Sequence, residues 1–399
     1  MLGRSILREN LPIVDPMQST SLAHPRRSVP RENSRPHDRT PPAPTSAGTE
    51  HVASASGNAL NFLRLVFAVL VIVQHSYSVL LDTNEWTING EGAAGWAVSG
   101  FFVISGYLIT SSRLRMGWAP YLWRRFLRIY PGYAVCLLIV AFACAPAAAM
   151  LGNIPFDSGA ALQYVIENAA LMVRQTDIAP TLSHNPYPGM WNLPLWTLPY
   201  EVGCYLLIAL LGFGGRGLLR VAMPVVFLAA LVGSQPRVKA AVPIELFWGS
   251  KLLFFFAAGS LIYLFHRWIP WRTTWAAAAG VVFGLLALRG FSVRLGALPF
   301  AYLVLWTGFS LPTRIGSRRD LSYGFYIYGF PMQQLLVAMT PRWPTHVLTM
   351  VTTLLVTPLA WLSWTFVESR AMMWRRLVPS GRGAGWLVPS STDPSQSGG

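Results

Sequence analysis

Charged residues are scarce in this chain: they make up 12% of its 399 residues, whereas 53% are hydrophobic. A soluble domain carries about 25% charged residues, so a water-facing surface of this size would lack the charge it needs. A surface that faces lipid has no such requirement. The composition therefore argues against a soluble enzyme, a disordered chain and a fibrous protein, and it predicts an integral membrane protein.

Cysteine and acidic residues are also few. The three cysteines are spaced in a way that forms neither a disulfide framework nor a metal-binding box, so we expect no metal site. The 16 Asp and Glu against 31 Lys and Arg give a net charge of +15. In a soluble protein this surplus would indicate nucleic acid. Here the basic residues lie between apolar runs, where they mark cytoplasmic loops, so we predict a lipid bilayer and no nucleic acid as partner.

The apolar runs are long enough to cross a bilayer at about 1.5 Å per residue. They lie at 60–81, 92–112, 130–150, 195–213, 218–234, 246–266, 272–289, 295–311, 322–340 and 345–368. The predicted fold is an all-α, polytopic transmembrane bundle of about ten helices, and the alternation of basic and acidic loops places both termini in the cytoplasm. We expect one membrane domain over residues 59–376, between tails at 1–58 and 377–399 whose composition predicts disorder.

Two ionisable residues, Arg64 and His75, lie within the first apolar run. Eleven steps of about 100° bring both side chains onto one helix face, about 16.5 Å apart along the axis. An ionisable group inside a membrane is costly and indicates function by default, and a histidine can act as a base at neutral pH. Arg64 could instead reach the lipid headgroups, and His75 could be a packing residue. Their shared face favours a functional pair.

Arg125 and Arg128 are three residues apart in WRRFLRIYP and are therefore neighbours on a helix, before a bend that Pro131 predicts. Such a cluster is usually a positive anchor on the cytoplasmic side. The functional alternative is a clamp for phosphate or pyrophosphate, because arginine makes bidentate, permanently charged contacts with these groups.

Glu201 is an acid well inside an apolar run on the predicted outer side. It is either an interfacial carboxylate or, at the depth of His75, a group that orients and stabilises a charged imidazole. The aromatic residues of the preceding loop form either an interfacial belt or a platform for a sugar ring. They are Tyr187, Trp191 and Trp196.

Over about residues 58–370 the chain resembles the acyltransferase-3 family. The resemblance is carried by five segments in the expected order: the Arg-x10-His of the first helix, FFVISGYLI, RRFLRIYP, LWTLPYEVGCY and LSYGFYIYGF. It implies that His75 is the essential histidine of the family, with Arg64 as its paired arginine. It also matches Arg125 and Arg128 to an Arg-x-x-Arg motif. Glu201 matches the acid of a Trp-Ser-Leu-like segment, which here departs from the pattern and reads Trp-Thr-Leu-Pro-Tyr-Glu.

The resemblance implies a membrane enzyme of the bacterial inner membrane that moves an acyl group, acetyl in the commonest case, from cytosolic acyl-CoA to a hydroxyl of an exported carbohydrate such as an exopolysaccharide or lipopolysaccharide sugar. Acyl-CoA is then the donor substrate, and no permanently bound cofactor is expected. The three arginines would hold the donor, His75 would take the proton, Glu201 would support the imidazolium and the aromatic residues would bind the sugar. The alternative is a transporter or flippase for a lipid-linked sugar or an anionic metabolite, in which the ionisable residues form a substrate or proton path.

Overall fold

The structure, a computed structural model, describes residues 59–81, 87–313, 315–316, 319–340 and 342–378. The predicted tail at 1–58 and residues 379–399 of the C-terminal tail lie outside these ranges. The described residues are mostly helical, in agreement with the predicted class of helical membrane protein. A small β-hairpin, formed by β1 (Thr87–Ile88) and β2 (Glu91–Gly92), departs from a purely α-helical fold.

Most helices are joined by short connections, and a longer loop lies at 169–192. In chain order they are α1 Leu60–Leu81, α2 Ala93–Arg115, α3 Trp118–Ile139, α4 Ala145–Gly152, α5 Ser158–Asn168, α6 Leu198–Leu211, α7 Gly215–Gly233, α8 Pro236–Lys239, α9 Ile244–Phe265, α10 Thr273–Leu288, α11 Ser292–Leu295, α12 Ala297–Ser310, α13 Ser322–Met339, α14 Thr345–Ser363 and α15 Ser369–Met373. Single π-helical turns at Val140–Cys144 and Trp364–Glu368 join α3 to α4 and α14 to α15. Short 3-10 segments lie at Leu193–Thr197, Gly212–Gly214 and Trp374–Leu377.

Within the described residues, six helical segments are long and apolar enough to cross a membrane. They are Leu60–Leu81, Ala93–Arg115, Trp118–Gly152, Leu193–Gly233, Ile244–Phe265 and Thr345–Leu377. The protein is therefore a helical, multi-pass membrane protein. The crossings predicted at 195–213 and 218–234 fall in one apolar segment, interrupted at Gly212–Gly214. The third begins at Trp118 rather than residue 130, because Pro131 lies inside α3 instead of before it.

The outer surface of the bundle carries apolar stripes. On α7, Val221, Val225, Leu228 and Val232 repeat at helical spacing, and each is between 58% and 69% exposed. A helix face that meets water is polar, whereas contact with lipid tails requires no polar groups. The exposed stripe therefore marks a surface that meets the hydrocarbon of the membrane.

The core depends on close backbone contact between α2 and α9. A Cβ added to Gly106 would lie 2.0 Å from the carbonyl oxygen of Phe256, and one added to Gly259 would lie 2.1 Å from that of Val103. The Ser260 hydroxyl also donates a hydrogen bond to the Gly106 carbonyl at 3.1 Å. Inside a bilayer no hydrophobic effect drives helices together. Small residues favour helix association there because they let the backbones come into close contact.

Glycines of α2 and its N-terminal flank also set the register between α1 and α2, which run antiparallel. A Cβ at Gly92 would lie 2.5 Å from the Gln74 amide oxygen, and one at Gly100 would lie 2.4 Å from the Phe67 ring. This register places His75 near the N-terminal end of α2 and Arg64 about three turns further along it.

Replacing Gly106 by alanine should lower the stability of the fold. The new methyl would meet a backbone oxygen of α9 that cannot rotate away, at a cost of about 1–3 kcal/mol or more. We expect a lower thermal unfolding midpoint in detergent, measured by scanning fluorimetry. Gly284→Ala in α10 is the matched control, because nothing lies within 4 Å of its added Cβ. Equal midpoints for the two variants would contradict the packing described.

Candidate active site

The polar face of α1 borders two neighbouring internal spaces. The first, the Arg64 cavity, has a volume of about 40 Å³ and is lined by Arg64 and Glu201, with Ser105 of α2 beside them. The second, the His75 cavity, has a volume of about 450 Å³ and is lined by His75 and by Trp196. Arg64 and His75 therefore each face a cavity from the same side of α1, as their spacing predicts.

The two cavities share part of their walls. Val98 of α2 and Tyr326 of α13 line both. The Tyr326 hydroxyl is held in place, since it donates to the Pro194 carbonyl at 2.9 Å and lies 2.6 Å from the Thr197 hydroxyl. The space beside Arg64 and the space beside His75 are therefore neighbours, with Val98 and Tyr326 between them.

Arg64 is held by a buried carboxylate. Its Nη1 donates to Asp320 Oδ2 at 2.9 Å, and the same oxygen accepts from Arg128 of α3. Arg128 also donates to Glu368 at 3.2 Å. These four residues form the Asp320 network, which ties α1, α3, the segment before α13 and the turn after α14 to one point.

The charge on Asp320 is favoured by its surroundings. Burial alone would raise the pKa of this carboxyl, but Arg128 and Arg64 lower it, and the hydroxyl and backbone N–H of Ser322 add hydrogen bonds to Oδ1. The balance holds the pKa below its ordinary value of 3.8. Asp320 is therefore ionised at neutral pH and neutralises part of the positive charge of the two arginines.

The arginine pair of α3 divides into two environments. Arg128 is bound by two carboxylates, so the structure does not present it as a free phosphate clamp, in contrast to the sequence prediction. Arg125 makes no ion pair with any residue in the described ranges. Its guanidinium carbon lies 6.0 Å from the centre of the Tyr205 ring, and its Nε is buried without a hydrogen-bond partner there.

Glu201 lies at the depth of Arg64 and not, as predicted, at the depth of His75. Its Oε1 accepts hydrogen bonds from Ser105 at 3.3 Å and from the Tyr205 hydroxyl. The prediction placed the acid by its position in an apolar run, but α6 is preceded by a 3-10 segment and reaches α2 on the Arg64 side of Val98. Glu201 therefore does not orient the His75 ring in this structure.

His75 lines the cavity named after it. Its ring packs edge-on against Phe330, with ring centres 5.3 Å apart. Its Nδ1 is buried and has no hydrogen-bond partner among the residues that the structure describes. The residue lines both the His75 cavity and an adjoining space of about 300 Å³, the Tyr187 cavity, which Tyr187 and Gln74 border.

Two of the three residues of the predicted aromatic platform line cavities in the structure. Trp196 borders the His75 cavity and Tyr187 the adjoining one. Trp191 is fully buried, and its indole nitrogen donates to the Thr181 hydroxyl at 3.0 Å. Because this ring is buried within the loop between α5 and α6, it cannot stack on a substrate in this structure.

Sequence reasoning missed three residues around His75. Lys251 of α9 pairs with Glu91 of β2, and its Nζ lies 5.0 Å from the centre of the Trp248 ring. All three line the His75 cavity. A lone lysine in an apolar run is itself a signal of function. Nothing in the local pattern, however, shows that an Asn89–Gly90 turn brings Glu91 to it.

Similarity to known proteins identifies the family of this chain. Residues 58–365 match a family described as an acyltransferase domain, acyltransferase-3. The chain belongs to the acyltransferase-3 family. It is thus an acyltransferase, and the family predicted from its five segments is confirmed.

Two relatives of this acyltransferase-3 member extend over most of its length. An O-acetyl transferase of Shigella phage Sf6 is 29% identical over 338 residues, which cover 78% of this chain and 95% of the phage protein. Nodulation protein 10 of Rhizobium leguminosarum bv. viciae is 28% identical over 367 residues, which cover 82% of this chain and 96% of that protein. No solved structure matches the chain.

Replacing Asp320 by asparagine should destabilise the protein in a pH-dependent way. Removing one partner of a buried ion pair costs about 3–5 kcal/mol, since the other charges stay buried. Because the pKa of Asp320 is lowered on folding, its contribution is complete above about pH 4, the ordinary range of an unfolded aspartate, and is lost as pH falls further.

The measurement is the thermal midpoint of wild type and Asp320→Asn between pH 3 and pH 7, with Glu167→Gln on the α5 surface as control. We expect a large difference at neutral pH that narrows as the pH falls below about 4. A difference that stays constant with pH would show that the Asp320 charge does not stabilise the network.

Proposed function

We propose that this acyltransferase transfers an acetyl group from acetyl-CoA, supplied from the cytosol, to a hydroxyl of an exported carbohydrate. The observation that carries the proposal is the shared wall between the Arg64 cavity and the His75 cavity. It puts a space lined by Arg64 and Glu201 next to a space lined by His75, within a member of an acyltransferase family. The phage relative, named an O-acetyl transferase, supports oxygen as the acceptor atom and acetyl as the group.

We further propose that both termini face the cytoplasm and that the membrane is the bacterial inner membrane. With α1 running outwards, Arg64 lies towards the cytosol and His75 in the outer half. The arginines in the last turn of α2 and in the segment after α9 support this orientation, because positive charge concentrates on the cytoplasmic side. The donor then enters from one side of the membrane and the acceptor from the other.

The donor contacts follow from the charges beside the Arg64 cavity. Arg125 carries no partner carboxylate in the described ranges and would contact the phosphates of coenzyme A. Arg128, held by Asp320 and Glu368, would position this helix face rather than clamp the donor itself. Arg64, whose side chain is 21% exposed, would contact the arm that carries the thioester as it passes towards His75.

The reaction is a direct acyl transfer. His75 accepts the proton of the sugar hydroxyl while that oxygen attacks the thioester carbonyl carbon. The new carbon–oxygen bond forms, the carbon–sulfur bond breaks, and the thiolate of coenzyme A takes up a proton, with the imidazolium as donor. A neutral imidazole suits the first step because it can accept the proton at Nδ1 or Nε2.

The transporter alternative uses the same cavities but predicts movement of a substrate without a covalent product. Membership of an acyltransferase family favours the enzyme. Glu201, placed with Arg64 rather than with His75, would then help to set the polarity of the donor path together with Ser105 and Tyr205.

Replacing His75 by alanine should lower acetyl transfer by about 10²–10⁴-fold, the contribution typical of a positioned general base. The assay follows free thiol release from acetyl-CoA in the presence of surface polysaccharide, with acetylated sugar detected by mass spectrometry. His346→Ala, at an exposed position at the start of α14, is the control. Full activity in a stably folded His75→Ala variant would reject the role of this residue. Transport of polysaccharide with no thiol release would favour the transporter instead.

A further inference from the structure

The space around His75 has the chemistry of a sugar-binding site for an uncharged ring. We propose that Trp248, Trp196 and the Glu91–Lys251 ion pair form the acceptor subsite, and that it takes one neutral pyranose unit in preference to an acidic sugar such as a uronic acid. The inference rests on the proposed function, because it names the acceptor class of the same transfer reaction.

The tryptophan rings in the cavity wall supply an apolar surface that suits the apolar face of a pyranose. Trp196 and Trp248 stand at 64° to each other with ring centres 5.9 Å apart, and both line the His75 cavity. The axial C–H bonds of a pyranose form an apolar face that packs on an indole ring, while its hydroxyls point outward around the ring. Cavities of about 450 and 300 Å³ adjoin at His75, a size typical of small-molecule sites.

The polar groups on the same walls match hydroxyl groups. Glu91 lines both the His75 and Tyr187 cavities and presents a carboxylate that accepts hydrogen bonds, whereas Lys251 presents an ammonium group that donates them. Their side chains are 15% and 6% exposed. Two neighbouring hydroxyl groups of a sugar can both donate and accept hydrogen bonds. One ring can therefore bind Glu91 and Lys251 together while both side chains stay charged.

The same ion pair disfavours an acidic ring. Among the described residues that line the two cavities, Glu91 and Lys251 carry the formal charges, and these cancel. Lys251 is already bound to Glu91 and lies against the Trp248 ring. A sugar carboxylate that took Lys251 would leave Glu91 charged and unpaired beside it, which is costly in a buried site.

The local backbone favours this position of Glu91. Its carboxylate lies over Gly95 of α2, where an added Cβ would be 1.4 Å from Oε1. The Asn89–Gly90 turn, with positive φ at both residues, forms the tight hairpin that precedes Glu91. Gly95 thus leaves the room that the carboxylate needs to reach Lys251.

The test compares two probes of equal size on the purified full-length protein: methyl glucopyranoside and methyl glucopyranosiduronic acid, each with acetyl-CoA. Free thiol and the acetylated glycoside are measured together. We expect wild type to favour the neutral glycoside by about tenfold or more. Glu91→Gln should narrow this ratio by about tenfold, because it removes the repulsion of the acid and frees Lys251 to bind it.

Further variants separate this subsite from a structural effect. Trp248→Phe should raise KM for the neutral glycoside by about tenfold while KM for acetyl-CoA stays unchanged. Glu91→Gln combined with Lys251→Gln removes both charges without leaving one buried alone, and it should abolish the discrimination between the probes. Glu167→Gln and Trp275→Phe, distant from these cavities, are the controls. Scanning fluorimetry confirms that each variant is folded.

Three results would overturn the subsite: a wild-type preference for the uronic acid, a ratio unaffected by the substitutions, or acetylation of neither probe by a protein that acetylates the polysaccharide of its own cell. A protein that releases no thiol with any carbohydrate and leaves that polysaccharide unacetylated would instead contradict the proposed function itself.

Discussion

The position of the proposed donor side depends on one buried carboxylate. Asp320 binds arginines from two helices that are distant in sequence, and Ser322 fixes its other oxygen. Arginine in a membrane protein is costly unless it is paired, so this network fixes where α1 and α3 can meet. Arg64 then lies at a defined place in the cavity wall, with part of its surface open. A fixed guanidinium of this kind is suited to guiding an anionic donor without reorganising as the donor arrives.

Close helix packing places the proposed acceptor side with respect to the proposed donor side. Contact between α2 and α9 brings Trp248 and Lys251 to the wall opposite His75, and the register of α1 with α2 sets His75 near the hairpin that carries Glu91. Val98 and Tyr326 then separate two spaces of different character: a small one beside Arg64, Glu201 and Ser105, and a larger one lined by aromatic rings and an ion pair. The arrangement allows the two substrates of an acyl transfer to approach His75 from separate directions.

Features that are periodic or local could be predicted from the sequence. The common face of Arg64 and His75 follows from helix geometry alone, and low charge predicts a membrane protein. Contacts across the chain could not be predicted in this way. Asp320 lies 256 residues from Arg64, and Lys251 lies 160 residues from Glu91. Their ion pairs exist only once the helices are packed.

Residues of the same type that are close in sequence can also have different environments, and only the folded structure shows which. Trp191 and Trp196 lie in one aromatic segment, yet the first is enclosed by the outer loop and the second borders a cavity. Glu201 was misplaced for a related reason, because depth in the membrane depends on how a helix is offset from its neighbours and not on its sequence alone. The register of α6 against α2, set by packing, decides which cavity the carboxylate meets.

The proposed reaction requires that the Arg64 and His75 cavities form one path for the acyl donor. The most direct measurement is a cryo-electron microscopy structure of the full chain with an unreactive acetyl-CoA analogue in which a ketone replaces the thioester. We expect density for the phosphates near Arg125, for the arm beside Arg64 and between Val98 and Tyr326, and for the ketone carbon next to His75. An analogue bound elsewhere, or one that ends at an unopened wall between the two cavities, would contradict it.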